Sequence, residues 1–523
     1  MTAVRGAWRQ PAATFEATVR RVRREPLAGI LVAVATAAAL GLVTAAVMPR
    51  GPATSAQGLL VLASCLIAGA VGGACSTSRW AGIAAILGYG LAFEAGRGGA
   101  IGPTVDGLRL DNAYGVLALA LGRGFHLVIA TLALLLGALI GRRLAAPLDD
   151  SPPRPSRGWL GTVARMLATA MLGLTVAALT VAIAWPASTP PVLGHDGRPV
   201  PGSLAELATV RLGGVDQTMM IRAANPDAPV MLYLAGGPGQ SDLALTRVAA
   251  EPWVDRVVFV DWDQRGTGKS YAALEPVSSL TIEQAVSDTI ELSEILRDRF
   301  DERRIYLMGE SWGSILGVLA VQRRPDLYYA WIGSGQMVDV VETDRRVYRD
   351  LVDYAARTGD GALAAKLSEI GEPPYRDIPW ANANLLAWYE YLYAPYTPSP
   401  GYLARGEAGG LDPFGILGSE YNVVEKTTVL RGLIDTFALL YPQLYGIDFR
   451  RDVTRLDVPV YMLDGAAELE GRRDLALEWF EGLTAPSKTR ITFDDAAHSV
   501  AFEQADAVAR LLTEQIIPRT YER

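Results

Sequence analysis

A serine flanked by two glycines, Gly309-Glu310-Ser311-Trp312-Gly313, stands between the apolar run Ile305-Tyr306-Leu307-Met308 and a stretch from Ser314 to Gln322 that reads as a helix. Strand, sharp turn and helix in that order form a nucleophile elbow. The glycines let the chain turn without side-chain clash, the Ser311 hydroxyl is lifted above the sheet, and the helix N-terminus lies beneath a developing oxyanion. The chemistry implied is acyl transfer through a serine.

A hydroxyl is barely nucleophilic at its own pKa, so it needs a base, and the base needs an orienting acid. The chain has three histidines. His126 lies in an apolar N-terminal run and His195 in a stretch rich in Pro, Gly and Ser, which leaves His498, in Asp494-Asp495-Ala496-Ala497-His498-Ser499 after the final strand-like run. The order serine, acid, histidine puts the acid on the loop after the run ending near Leu463. Asp464 and Glu468 compete for that role. Glu468 is the expected partner, because a turn at Gly465-Ala466-Ala467-Glu468 can bring it under the histidine.

An oxyanion hole needs two backbone donors aimed where charge develops. The N–H of Trp312 is one. Leu234-Ala235-Gly236-Gly237-Pro238-Gly239 follows a strand-like run and can supply the second, expected at Gly237. Asp263-Gln264-Arg265-Gly266-Thr267-Gly268-Lys269-Ser270 ends like a phosphate-binding loop, but Asp263 stands where its first glycine is required, so it reads as a loop packed beside the site.

These residues need a scaffold, and the C-terminal two thirds of the chain has the pattern of one. Thr209–Leu212, Gly213-Gly214 and Gln217–Arg222 read as a hairpin, and Val230–Leu234, Val257–Val260, Ile305–Met308 and Ala330–Gly333 as short buried strands. A helix opens at Thr281-Ile282-Glu283-Gln284 with a capping box and keeps one apolar face through Phe300. Alternating strands and helices predict an α/β class with a parallel sheet covered on both faces. The alternation stops from about Met337 to about Arg451, which reads as an inserted, mainly helical cap rich in Trp and Tyr. It resumes at Val458–Leu463, with a further strand at Arg490–Phe493.

The front of the chain is different. Mean hydropathy of +0.20 is high for a wholly soluble protein, and the excess is N-terminal. Leu27–Met48 carries no charge and can cross a hydrocarbon core of about 30 Å as a helix. Gly58–Cys75, Trp80–Phe93, Gly124–Gly141 and Met166–Trp185 follow, the third being short; Ala113–Leu121 is also apolar and leaves the start of the fourth open. A cleaved signal peptide would have a shorter apolar run with no further spans. Arg5, Arg9, Arg20, Arg21, Arg23 and Arg24 precede the first span, and Arg142, Arg143, Arg154, Arg157 and Arg165 precede the last. If both clusters are cytoplasmic, about five transmembrane helices leave the rest of the chain outside: a multi-pass protein of the cell membrane with an extracytoplasmic C-terminal domain. The expected divisions are a membrane-spanning region over 1–187, an extended linker over 188–206 (Pro/Gly-rich from Pro186 to Pro201), a first core segment over 207–336, a cap over 337–451 and a second core segment over 452–523.

Both cysteines, Cys65 and Cys75, fall in the second span, so no disulfide or thiolate metal site is expected in the C-terminal region. A net charge of −8 without clustered Lys and Arg there argues against nucleic acid. No cofactor and no metal is expected. The partners are the bilayer and a small peptide or other small acyl substrate; the oligomeric state is open.

Gly236-Gly237-Pro238-Gly239, Asp263-Gln264-Arg265-Gly266-Thr267-Gly268, Gly309-Glu310-Ser311-Trp312-Gly313 and the late His498, in that order, resemble the proline iminopeptidase branch of the α/β-hydrolases from about Leu207 onward. The resemblance implies an α/β-hydrolase fold with a helical cap, metal-free removal of an N-terminal residue from short peptides, Ser311 as nucleophile, His498 as base, and Gly237 and Trp312 as oxyanion donors. It also implies acidic cap groups for the substrate ammonium, with Glu342, Glu390 and Glu420 as candidates. The chain departs from the family at Ala235, where a histidine is usual, and at Glu468, where an aspartate is usual. Two other readings stand beside an aminopeptidase: an esterase or amide/lactone hydrolase with the same triad, and a non-catalytic membrane sensor domain, which would carry a broken triad.

Overall fold

The computed structural model describes residues 9–110, 113–149, 158–408 and 415–522. Arg5, Arg154 and Arg157 of the two basic clusters lie outside the described residues. The chain divides into two compact units, residues 1–186 with 422–427, and residues 187–421 with 428–523.

The first unit is helical. An arginine-rich helix α1 (Arg9–Arg24) precedes α2 (Pro26–Val47), α3 (Ser55–Cys75), α4 (Ala81–Gly96), α5 (Ala113–Leu144, with a π-helical turn at Ala120–Gly124) and α6 (Trp159–Ala184). Four of these, α2, α3, α5 and α6, are long and apolar enough to cross a membrane. The third expected span, Trp80–Phe93, is the 16-residue helix α4, only about 24 Å long at 1.5 Å per residue. Ala113–Leu121, whose relation to the fourth span the sequence leaves open, belongs to the same helix as Gly124–Gly141.

Small residues decide how these helices meet. A Cβ on Gly69 or Gly73 of α3 would run into the Leu134 or Ala138 carbonyl of α5, and one on Gly137 or Gly141 would run into the Leu66 or Ala70 carbonyl of α3. Each helix thus presents a Gly-x-x-x-Gly pair to the other's backbone, the spacing that lets membrane helices approach closely. By contrast, α6 is buried only at Val176 and Ile183.

The second unit is built on eight strands: β1 (Leu204–Leu212), β2 (Val215–Ala223), β3 (Val230–Leu234), β4 (Val258–Asp263), β5 (Ile305–Glu310), β6 (Tyr328–Ser334), β7 (Val460–Gly465) and β8 (Lys488–Phe493). They form one sheet in the order β1-β2-β4-β3-β5-β6-β7-β8. The β1–β2 hairpin and the β2–β4 pair are antiparallel, and every pair from β4 to β8 is parallel. Gly213 and Gly214 make the hairpin turn with φ of 52° and 80°, values a side chain disfavours. All residues of β3 to β7 are buried, as expected for strands covered on both faces.

Helices α7 (Leu243–Ala249), α8 (Ile282–Phe300) and α9 (Trp312–Arg323) connect the first strands. The expected cap lies between β6 and β7, where the described residues form helices and turns: α10 (Val340–Thr358), α11 (Gly361–Ile370), α12 (Ile378–Trp388) running into a π-helical turn at Tyr389–Tyr393, α13 (Pro400–Ala408), α14 (Val423–Leu440) and α15 (Phe449–Asp452). After β7 come α16 (Glu470–Gly482), and after β8 α17 (Val500–Glu503) and α18 (Ala505–Leu511). One core cluster joins Trp253, Phe259 and Tyr233 to Phe502, with the Trp253 and Phe502 rings stacked at 5.6 Å.

The stretch read as an extended linker is shorter and less free than its composition suggests. Strand β1 already begins at Leu204. Ahead of it, Leu193 and Pro199 form an antiparallel bridge, Val192 is buried in the core of the second unit, and Arg222 donates to the Pro190 carbonyl at 2.6 Å. Proline and glycine content reports missing helix and strand propensity, and it is blind to such docking.

Candidate active site

Ser311 sits at φ 55°, ψ −120°, between β5 and α9, and only one other non-glycine among the described residues, Asp301, has positive φ. Such strain persists only where the surroundings enforce it. Here the enforcement is backbone crowding. A Cβ on Gly313 would enter the Leu234 carbonyl oxygen, and one on Gly309 would enter the Gly313 carbonyl, so both elbow glycines are required by close approach. Ser311 N–H donates to the Ser334 carbonyl at 3.2 Å, which pins the elbow to the end of β6. The Ser311 hydroxyl donates to Met337 Sδ at 3.5 Å, and among the described residues no hydrogen bond joins it to a histidine.

The loop after β3 reaches the same place. A Cβ on Gly236 would stand 3.3 Å from the Ser311 Cβ, and Gly237, with φ 108°, follows directly. Gln264, from the loop after β4, ties together the two segments that carry the oxyanion candidates: its Nε2 donates to the Ala235 carbonyl at 3.1 Å and its Oε1 accepts from the Trp312 indole at 2.8 Å. The loop ending Gly-Lys-Ser therefore packs beside the elbow. Helix α14 holds it there, through Thr436 donating to the Gly266 carbonyl and Thr428 to the Gly268 carbonyl, at 2.9 and 2.7 Å.

The loops after β7 and β8 are zipped together by backbone hydrogen bonds, Ala466 N–H to the Phe493 carbonyl and Ala467 N–H to the Ala496 carbonyl. A tight turn, Glu468 N–H to the Gly465 carbonyl at 3.1 Å, then aims Glu468 at His498, and His498 Nδ1 lies 2.6 Å from Glu468 Oε2. Asp464, one turn earlier, is paired with Arg490 instead. Gly335, at φ 54°, lies against the imidazole, since a Cβ there would stand 2.7 Å from His498 Nδ1.

Burial alone would push the Glu468 carboxyl up. The charges of Arg472 and His498 and the Leu469 N–H outweigh it and bring the group down to about 2, so Glu468 is ionised at every physiological pH.

Three groups that the motif reading did not single out complete the site. Arg472 Nη1 lies 2.8 Å from Glu468 Oε1 and 2.7 Å from His498 Nδ1. Glu310, the residue before the nucleophile, accepts from the hydroxyl of Ser499, the residue after the histidine, at 2.8 Å. Burial, with the charge of Asp242 added, pushes Glu310 well above the usual carboxylate range, which favours its neutral form. Asp242, held by Tyr233 and Gln240, is itself pushed up to about 6 by burial. The i to i+4 spacing of Glu468 and Arg472 was the available signal for the arginine. No sequence signal joins Glu310 to Ser499.

The cap carboxylates now separate. Glu420 is fully buried and paired with Arg247 at 2.7 Å, and Glu342 pairs with Arg346 at 3.3 Å. Glu390, in the π-helical turn after α12, is exposed at its surface, and partial desolvation raises its carboxyl against the opposing charges of His498 and Arg472. Among the described residues no group of three or more His, Cys, Asp or Glu side chains is arranged to hold a metal ion.

The family described as serine aminopeptidase, S33 (Hydrolase_4), matches residues 255–363, a span that includes Ser311 and stops short of Glu468 and His498. A probable aminopeptidase of Bacillus subtilis, YbaC, is 28% identical over 313 residues, covering 60% of this chain and 96% of its own. The proline iminopeptidase of Arabidopsis thaliana is 33% identical over 107 residues, 20% of this chain and 26% of that protein. Among solved structures, the proline iminopeptidase of Mycobacterium smegmatis covers 60% of this chain and 100% of its own at 18% identity, with a TM-score of 0.40. The eight-stranded sheet and the serine elbow between β5 and α9 give this chain an α/β-hydrolase fold, and its sequence is similar to aminopeptidases and proline iminopeptidases, with a set of apolar helices ahead of the unit that carries the elbow.

Proposed function

We propose that the protein is a membrane-anchored serine aminopeptidase that releases N-terminal residues from short peptides through an acyl-enzyme on Ser311. The observation that carries this reading is the 2.6 Å contact of His498 with Glu468 on the loops that follow the Ser311 elbow in chain order. His498 Nε2 takes the proton from Ser311 Oγ as the oxygen attacks the substrate carbonyl, and Glu468 Oε2 holds the Nδ1–H and stabilises the imidazolium that forms. Turnover requires the hydroxyl to leave Met337 and turn to the imidazole. The N–H groups of Trp312 and Gly237 receive the oxyanion. The imidazolium then protonates the leaving amine, and a water repeats the sequence in reverse to free Ser311.

An aminopeptidase must also bind an ammonium next to the reacting carbonyl. Glu390 is the cap carboxylate suited to it, being exposed and feeling the charge of His498, whereas Glu420 is taken by Arg247 and Glu342 by Arg346. The test is turnover by the full-length protein of aminoacyl-arylamides, their N-acetylated counterparts and aryl esters. Cleavage only of substrates with a free amine, lost in Glu390→Gln mainly through a higher KM, is the expected result. Equal cleavage of blocked amides or esters would replace this reading with a general esterase or amidase.

The membrane side follows from charge. Arg20, Arg21, Arg23 and Arg24 precede α2, Arg142 and Arg143 end α5, and Arg165 lies near the start of α6, so with both clusters cytoplasmic the hydrolase unit faces outward. This requires the short α4 to cross. Intact cells should then hydrolyse a membrane-impermeant substrate, and activity appearing only after lysis would show that the unit faces inward.

A further inference from the structure

An arginine against the orienting face of a general base is an unusual neighbour, because it competes with the base for the same carboxylate. Arg472, on the first turn of α16, has a side chain only 8% exposed, and that of Glu468 is 6% exposed. Its Nη1 is within hydrogen-bond distance of both Glu468 Oε1 and His498 Nδ1, at 2.8 and 2.7 Å. Its Nε, also buried, has no hydrogen-bond partner among the described residues.

His498 Nδ1 can satisfy only one of its two neighbours at a time. With a proton on Nδ1 it donates to Glu468 Oε2, and Nε2 is free to accept from Ser311. With a lone pair there it accepts from Arg472 Nη1, and the proton sits on Nε2, where it blocks base action. The guanidinium also opposes a second positive charge on the ring while drawing on the Glu468 charge that would stabilise it.

We propose that Arg472 is a positioning residue that shares Glu468 with His498 and thereby sets the lowest pH at which the histidine works as a base. This rests on the reading of Ser311, His498 and Glu468 as a hydrolytic triad. Carboxyl groups also act on the surroundings of the histidine. Glu390 approaches from the cap, and Glu310 reaches the loop through Ser499 and is held toward its neutral form. Asp344 of α10 feels the Arg472 charge and is pushed up to about 7 by burial. Asp494, Asp495 and Glu503 belong to the histidine's own loop and helix. Arg472 is the cation in hydrogen-bond contact with the ring, so its removal has a defined sign: protonation of the ring becomes easier.

The test uses the full-length protein and the second-order rate of labelling by a fluorophosphonate probe from pH 5 to pH 9, a readout that needs no knowledge of the substrate. In Arg472→Gln and Arg472→Met the acid limb of the profile should move upward by about one pH unit, while Arg472→Lys, which keeps a cation, should stay close to the parent. Two neutral replacements of different shape guard against one that fails to fold. A limb that stays in place in either folded neutral variant, including a uniform loss of rate at all pH values, would overturn the proposal and leave Arg472 a structural ion pair. Undiminished labelling of Ser311→Ala would instead overturn the triad reading beneath it.

Discussion

Glycine allows close approach in both halves of this protein, but the interiors around it differ. In the helical unit, Gly69 and Gly73 meet α5 backbone and Gly137 and Gly141 meet α3 backbone, and the buried positions are mostly small residues such as Ala33, Ala37, Ala130 and Ala133. In the hydrolase unit, Gly309 and Gly313 let the elbow close against Trp331 and the end of β3, and the interior is filled by large side chains such as Trp253, Phe259 and Phe502. Removing apolar surface from water drives the second interior, so large side chains pay. In the bilayer proposed for the first unit a helix gains little from burying a leucine, and close backbone packing takes over.

The sharpest way to break the contrast is at the elbow. Ser311→Ala and His498→Ala should each lower arylamide turnover by roughly four to six orders of magnitude, because nucleophile and base act as a unit. Both variants should keep the parent's unfolding temperature within a few degrees, since neither side chain fills the core. Near-normal turnover in Ser311→Ala would end the serine mechanism.

Glu468→Gln should cost on the order of 10³ to 10⁴ in kcat, since an amide cannot stabilise the imidazolium. Asp464→Asn, whose partner is Arg490, should stay within about tenfold. The comparison is between carboxylates at the same end of the sheet, and a reversed ranking would reassign the acid.

The bundle offers the complementary break. Gly141→Leu places a side chain where the Ala70 carbonyl stands, so α3 and α5 must separate. In detergent the full-length protein should lose thermal stability of the helical unit, followed by circular dichroism, while fluorophosphonate labelling of Ser311 changes less than about threefold. Unchanged melting would show that the two Gly-x-x-x-Gly pairs do not carry that contact.

The smallest expected effect is on the pH dependence of hydrolase stability. Burial pushes Asp263 and Asp344 up to about 7 from an ordinary value of 3.8. The folded state therefore holds more protons than the unfolded state between those limits, and stability falls as pH rises through that window. Glu468 has the opposite sign. Lowered to about 2, its contribution is full above about 4.5 and is lost as pH falls toward 2. The unfolding temperature should thus be higher near pH 5 than near pH 8, and Asp344→Asn should flatten that slope. A stability that rises from pH 5 to pH 8 would contradict both assignments.

Much of the site is readable because its parts are local. The serine elbow is five consecutive residues between a strand and a helix, and the Gly-Gly-Pro-Gly loop is continuous; both lie where backbone geometry alone restricts residue type. His498 stands out by elimination among three histidines. What is not readable depends on distant packing. Arg222 fastens the Pro-rich segment through Thr189 and Pro190, and Ser499 meets Glu310 across 189 positions of sequence. Composition carries no record of such pairs.

The sequence by itself determined the alternation of buried strands and helices, the apolar segments at the front, the serine and its only suitable histidine, because period, length and backbone tolerance are properties of neighbouring residues. Only the tertiary structure decided that Glu468 meets His498 while Asp464 meets Arg490, that Arg472 contacts both Glu468 and His498, and that of three cap carboxylates Glu420 and Glu342 are held by arginines. The physical reason is that charge pairing falls off within a few ångströms, and distances of that size between loops far apart in the chain are set by how the sheet and cap pack around them.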